Sequence, residues 1–214
     1  MIFLGAPGAG KGTQAKEVAG TYRVPHLSTG DMFREHVGRG TELGRKAQPI
    51  MERGELVPDA IVLGMVEERI ARPDCANGCV FDGFPRTLAQ AETLGEMLQR
   101  GGFGRPVVVH IAVDGDQLVR RLTGRRTCSI GGEIYNIYDR PPKVPGRCDN
   151  DGGELVQRAD DREDVIRERL AAYDRQTRPL IEYYRGQGAL VDVDGSTDVE
   201  TVTRAVLAAL ARSQ

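Results

Sequence analysis

The chain has 214 residues, 40% hydrophobic and 28% charged, the balance of one soluble globular domain with room for inserts. No apolar run approaches about 18 residues and no basic-then-apolar leader opens the chain, so neither a transmembrane helix nor a secretory signal is expected. The formal net charge of −2 argues against broad binding to nucleic acid, so an anionic ligand has to be held by local positive clusters.

Residues 1–5 read as a buried strand. The stretch GAPGAGKGT follows at 5–13, and Ala15, Val18, Ala19 and Tyr22 then recur at helical spacing, which predicts a helix over 11–22. Short apolar runs at 24–28, 79–81, 107–113 and 189–193 predict four further strands. Between them Leu88, Ala91, Leu94 and Leu98 form one helical stripe; Val165, Ile166, Leu170 and Tyr173 form another. A last helix is predicted from about 198, carrying Val199, Val202, Val206 and Leu210 on one face. Thr197 and Glu200 have capping-box spacing at its start. Strands alternating with helices predict an α/β fold with a mostly parallel sheet covered on both faces. Two segments break the alternation. Residues 28–57 carry short, charge-rich helical patterns, and residues 124–161, with paired glycines and prolines, read as a small β insertion.

The glycine-rich stretch points to phosphate. A strand, a glycine loop and a helix N-terminus surround one cavity with backbone N–H donors, and the helix dipole favours an anion there. Glycines at 5, 8, 10 and 12 allow close approach, Lys11 can reach the phosphates, and the Thr13 hydroxyl can meet Mg²⁺ or a phosphate oxygen. The common motif puts Ser or Thr directly after the lysine; here Gly12 intervenes. Lysine occurs only at 11, 16, 46 and 143, so arginine supplies most of the 29 positive charges. Arg34, Arg86, Arg121, Arg125, Arg158 and Arg169 are spread over the candidate segments, and a planar guanidinium can bind two phosphate oxygens at once. Asp82 ends an apolar run, where a parallel sheet places ligands, and its carboxylate can hold Mg²⁺ through water, with Asp31 assisting. Gln90 can donate and accept on one side chain, which suits an adenine edge. It also has capping-box spacing to Thr87.

GAPGAGKGT at 5–13, LSTGDMFR at 27–34, FDGFPRT at 81–87, GRR at 124–126, QRADD at 157–161 and RERL at 167–170 together resemble an adenylate kinase of the long form, with a large lid insert. The resemblance covers nearly the whole chain. It implies a P-loop kinase fold with a five-stranded parallel sheet flanked by helices. The core would be 1–27, 58–123 and 162–214, with a helical nucleoside-monophosphate-binding insert at 28–57 and a β lid at 124–161. It implies the reversible, Mg²⁺-dependent reaction ATP + AMP ⇌ 2 ADP by a cytoplasmic monomer, with neither nucleic acid nor a membrane as partner.

By the same resemblance, Gly8, Ala9, Gly10, Lys11, Gly12, Thr13, Arg121, Arg125, Ile134 and Tyr135 bind ATP. Thr29, Arg34, Glu55, Leu56, Val57, Gly83, Phe84, Pro85, Arg86, Gln90, Arg158 and Arg169 bind AMP. Arg158 and Arg169 reach the transferring group as the lid closes. Arg120 beside Arg121 leaves the choice between those two open, and Tyr135 can flank the ATP base or ribose, or belong to the lid core.

Many lids of this family carry zinc on two C-x-x-C or C-x-x-D pairs. Here Cys128, Cys148 and Asp151 match, but Gly131 stands at the fourth ligand position. Structural zinc takes four protein ligands, so a bound zinc is not expected and the lid is expected to be held by packing and hydrogen bonds. A Cys128–Cys148 disulfide is disfavoured in a reducing cytosol. Cys75 and Cys79 read as structural thiols. Three other functions compete: a kinase for another monophosphate, a non-enzymatic nucleotide switch, and a zinc-ribbon module at 124–161. Gln90 and the long lid count against the first. The combination of FDGFPR, Gln90 and an arginine-rich lid counts against the second, and the incomplete ligand set against the third.

Overall fold

A computed structural model describes residues 1–212. Strand β1 (Ile2–Leu4) leads through the glycine loop into α1 (Lys11–Tyr22). Then β2 (His26–Ser28) is followed by α2 (Thr29–Gly38), α3 (Glu42–Glu52) and α4 (Asp59–Ile70). Next come β3 (Val80–Asp82), α5 (Leu88–Arg100), β4 (Val108–Ala112) and α6 (Gly115–Gly124). Three short strands follow: β5 (Arg125–Cys128), β6 (Ile134–Asn136) and β7 (Leu155–Val156). Helix α7 (Glu163–Ala172) runs through a π turn (Tyr173–Thr177) into α8 (Pro179–Gly186), and the chain continues with β8 (Leu190–Asp194) and α9 (Val199–Arg212).

Five strands form one parallel sheet in the order β2-β3-β1-β4-β8. All five were expected from the apolar runs. They read as continuous hydrophobic stretches because both faces of a parallel sheet are covered. Alternate residues of each strand feed two separate cores. Ile2, Leu4, Phe81 and Val108 join Phe84, Leu94 and Leu180 on one face. Phe3, Val80 and Val109 join Val18, Ile111 and Val206 on the other. The remaining strands make a separate antiparallel sheet, β6-β5-β7, the β insertion expected in 124–161.

Two details of the sequence reading change. Helix α9 is capped by Asp198, whose carboxylate accepts from the Thr201 N–H at 2.9 Å. The expected Thr197–Glu200 box does not form, because Asp198 already satisfies that first-turn donor. Leu88 is 44% exposed, since it opens α5 before the helix turns its apolar stripe inward; Ala91, Leu94 and Leu98 are buried as expected.

The segment 28–57 packs α2 tightly on α3. A Cβ at Gly44 would stand 2.2 Å from the His36 carbonyl oxygen, a backbone atom that cannot turn aside. Alanine favours a helix interior over glycine by about 1 kcal/mol, whereas overpacking against a rigid neighbour costs about 1–3 kcal/mol and more where backbones must part. The clash wins. We expect Gly44→Ala to lower unfolding free energy by about 2 kcal/mol in a urea titration, with unchanged stability as the contrary result.

Candidate active site

The carboxyl ends of the central strands open into one cleft of about 800 Å³. The loop after β1 forms its floor. Gly10 sits at φ 92° where α1 begins, a conformation that any side chain would strain, and no side chain caps the first turn of that helix. The first-turn N–H donors of Lys11, Gly12 and Thr13 therefore belong to residues that line the cleft with no capping side chain over them. Lys11 Nζ folds back to donate to the carbonyls of Gly5 (2.8 Å) and Ala6 (2.9 Å). Burial brings its pKa down to about 8; Asp82 pulls the other way, while Arg86, Arg169 and Arg125 add to the decrease.

Asp82 ends β3 beside this loop. A Cβ at residue 12 would lie 3.1 Å from Asp82 Oδ2, which gives a physical reason for glycine where the common motif has a hydroxyl residue. Burial pushes the Asp82 carboxyl up, but the neighbouring His26 imidazole and the Lys11 charge outweigh it and leave the group below the usual range. His26 Nε2 lies 3.4 Å from Asp82 Oδ2 and has no other polar partner among the described residues. Asp82 and Thr13 line the same cleft and offer hard oxygen donors, which fit Mg²⁺ held largely through water.

The six arginines singled out in the sequence all border this cleft, and they differ in how they are paired. Arg34 is held by Asp31 at 2.6 Å. Arg125 makes a fork on Asp161, with Nε 2.7 Å from Oδ2, and Arg169 reaches both Asp160 and Asp161 at 3.1 Å. Asp161 is fully buried beneath them. The Arg86 guanidinium donates to the Gly83 carbonyl (2.7 Å) and that of Arg158 to the Thr127 hydroxyl (3.0 Å). Among the described residues neither has a carboxylate within ion-pair distance. Burial pushes both guanidinium groups down to about 10, with neighbouring arginines adding to the shift. A buried cation without a counter-ion is an anion site in waiting. Arg121 donates to the Gly195 carbonyl at 2.9 Å, whereas Arg120 stacks 4.6 Å over the Tyr138 ring and pairs with Asp139. The two neighbours therefore point to different walls.

The remaining expected residues divide. Thr29, the 55–57 stretch, Gly83, Pro85 and Gln90 line the cleft opposite the glycine loop, and Thr29 Oγ1 donates to the Gly83 carbonyl at 2.9 Å. Phe84 does not line it. Its ring is fully buried against Phe81 in the core. Ile134 and Tyr135 border the cleft on the lid side. The Tyr135 ring packs with Cys128, Cys148 and Leu155, and its hydroxyl accepts from the Asp149 N–H at 2.8 Å, while the residue also lines the cleft. Gln90 is buried. Its backbone N–H donates to the Thr87 hydroxyl (3.2 Å), which is half of the expected capping box. Its side-chain oxygen accepts from the Arg86 N–H (2.7 Å), so the second half does not form on Thr87.

In the β insertion, one ligand atom each from Cys128, Cys148 and Asp151 lies within 4.8 Å of the others. Cys128 Sγ contacts Asp151 Oδ1 at 3.2 Å, and that oxygen accepts from the Gly153 N–H at 2.9 Å. At Gly131 a Cβ would stand 2.7 Å from Asp151 Oδ2. Among the described residues this cluster offers three ligand-bearing side chains, one fewer than a structural zinc site takes.

Asp59, His26, Asp160, Asp161 and Thr177 were not singled out in the sequence. Thr177 Oγ1, at the end of the π turn, donates to the Arg86 carbonyl at 2.9 Å. Only QRADD carried a local signal for any of them, through its two adjacent acids after an arginine.

No helix among the described residues is long and apolar enough to cross a membrane. A family model described as adenylate kinase matches residues 3–189. An adenylate kinase of Archaeoglobus fulgidus is 52% identical over 210 residues, covering 98% of this chain and 97% of that protein. One from Thermodesulfovibrio yellowstonii is 50% identical over 210 residues, covering 98% of each. One from Bacillus subtilis is 48% identical over 204 residues, covering 94% of this chain and 93% of that protein. With the glycine loop, the arginine-lined cleft and a match of this extent, the chain belongs to the adenylate kinase family.

Proposed function

We propose that this cleft carries out the family's reaction with the division of labour that follows. The family transfers the γ-phosphoryl group of ATP to AMP, reversibly, giving two ADP, with Mg²⁺ accompanying ATP. Such transfer asks the protein for positioning and charge stabilisation and for little covalent chemistry. The observation that carries the reading is the pair of buried, carboxylate-free guanidiniums, Arg86 and Arg158, facing the same cleft as Lys11.

Gly8 to Thr13 hold the ATP phosphates through backbone N–H groups, and Lys11 leaves its two carbonyls for the phosphate undergoing transfer. Arg34 and Arg86 hold the AMP phosphate, and Gln90 reads its base. Arg121 and Arg125 lie on the ATP side, and Arg158 and Arg169 bridge the two phosphate groups. The paired arginines keep their geometry before substrate arrives, which lowers the cost of assembling the site. Asp82 and Thr13 would hold Mg²⁺ largely through water, and the ion's charge would offset that of the phosphate oxygens. Residues 28–57 and 124–161 act as the monophosphate-binding and lid inserts on a core of 1–27, 58–123 and 162–214. Each insert contributes arginines to the cleft wall. Every group needed comes from one chain, which supports a monomer, and the substrates are small soluble nucleotides, which supports the cytoplasm. The lid works without tetrahedral zinc, because Gly131 leaves Cys128, Cys148 and Asp151 as three protein ligands where a structural site takes four.

Three measurements test this. Lys11→Met should lower kcat by at least about a hundredfold, the scale of one lost electrostatic contact in a closed site; a folded variant with native turnover would refute the role. In the free protein Lys11 loses its proton as pH rises through about 8. A bound phosphate favours the charged form, so nucleotide binding above that pH takes up a proton and weakens as pH climbs. Calorimetry at pH 8.5 (about half a unit above that pKa) in buffers of different ionisation enthalpy should show the uptake, and Lys11→Met should abolish it. Metal analysis should find less than about half an equivalent of zinc, with chelator leaving the Tm unchanged. Gly131→Cys should lower the Tm in chelator, because the new side chain crowds Asp151, and raise it when zinc is supplied. Stoichiometric zinc in the unmutated protein is the opposing outcome.

A further inference from the structure

Gln90 reaches the cleft with its side-chain amide already committed at one edge. Nε2 donates to Asp59 Oδ1 at 2.7 Å, and Oε1 accepts from the Arg86 backbone N–H at 2.7 Å. Asp59 lies behind Gln90 at the start of α4, and its other oxygen accepts from the Thr87 hydroxyl at 2.9 Å. Each partner plays only one part: a carboxylate oxygen accepts and a backbone N–H donates. The amide can satisfy both in one orientation only. Turned over, it would set NH₂ against N–H and oxygen against carboxylate. One N–H and one oxygen lone pair remain uncommitted.

An unrestrained glutamine can flip and read either of two bases whose donor and acceptor are exchanged. Adenine offers its exocyclic amine beside a ring-nitrogen acceptor. Hypoxanthine has the same outline with an oxygen in place of that amine. We propose that Asp59 is a specificity-determining positioning residue: by fixing which end of the Gln90 amide is oxygen, it makes the site accept adenine and refuse 6-oxopurine monophosphates. The inference rests on Gln90 as the contact to the acceptor's base. Asp59 touches no substrate and acts only through Gln90.

The test is kcat/KM with AMP and with IMP as acceptors, at saturating ATP. In Asp59→Ala the AMP:IMP preference should fall at least about tenfold, the scale of losing a hydrogen bond to a charged group. The change should lie mainly in the acceptor KM, with the KM for ATP moving less than about twofold. Asp59→Asn, whose amide oxygen can still accept from Gln90, should keep most of the preference. Asp59→Ser, too short to reach, gives the same reading as alanine should the latter fold poorly. Circular dichroism and Tm accompany every variant. A lowered Tm with an unchanged AMP:IMP ratio would make Asp59 a mere staple between α4 and α5 and overturn the proposal. Gln90→Leu separates the two levels. If it collapses the ratio and Asp59→Ala does not, Asp59 alone is misassigned. If Gln90→Leu leaves the ratio intact, the base is read elsewhere and both assignments fall.

Discussion

Positive charge confined in one cleft is the constraint on which the structure depends. Lys11, Arg34, Arg86, Arg125, Arg158 and Arg169 share a single cavity, and Arg34, Arg86, Arg125 and Arg169 each depress the proton affinity of at least one other of them. Such an assembly repels itself unless carboxylates or a ligand intervene. The fold supplies a measured number of carboxylates: Asp31, Asp82, Asp160 and Asp161. It leaves Arg86 and Arg158 without one. Several arginines are therefore fixed in place by protein counter-ions while the cleft as a whole stays short of negative charge. Phosphate groups complete it.

The sheet and helices serve that arrangement. Parallel strands bring the glycine loop, Asp82 and the start of α2 to the same edge, and the two cores above and below hold that edge rigid. The π turn between α7 and α8 widens one turn of backbone next to the cleft, and its Thr177 hydroxyl fixes the Arg86 carbonyl. A π turn inside a helix commonly marks a working site.

The sequence was legible where chemistry and spacing are local. The five strands follow from apolar runs bounded by breakers, and α1 from its periodic apolar stripe. The glycine loop declared a phosphate site through residue types adjacent in the chain. The arginines became legible through the order of motifs, since a single arginine looks like any solvated charge. What stayed hidden depends on contacts between distant segments. Asp59 follows a proline at a helix start and reads as an ordinary first-turn acid; its meaning lies in Gln90 and Thr87 on another helix. Gly12 departs from the common motif because of Asp82, which is remote in sequence. Tyr135 both lines the cleft and packs on Cys128, Cys148 and Leu155, a double placement that no local pattern announces. Asp161 sits in a run of charges that reads as surface, yet two arginines draw it fully inside.

The fork between Arg125 and Asp161 joins the residue where the chain enters the second sheet to a short turn just past its last strand. The insertion is thus sealed at its root, and the core meets it as a single closed loop. Because closure entropy grows only slowly with loop length, the interior of a sealed loop can lengthen, shorten or be exchanged at little thermodynamic cost to the rest. For stability, though not for the arginines it lends to the cleft, the β insertion is in this sense a cassette, closed on the core by one buried ion pair.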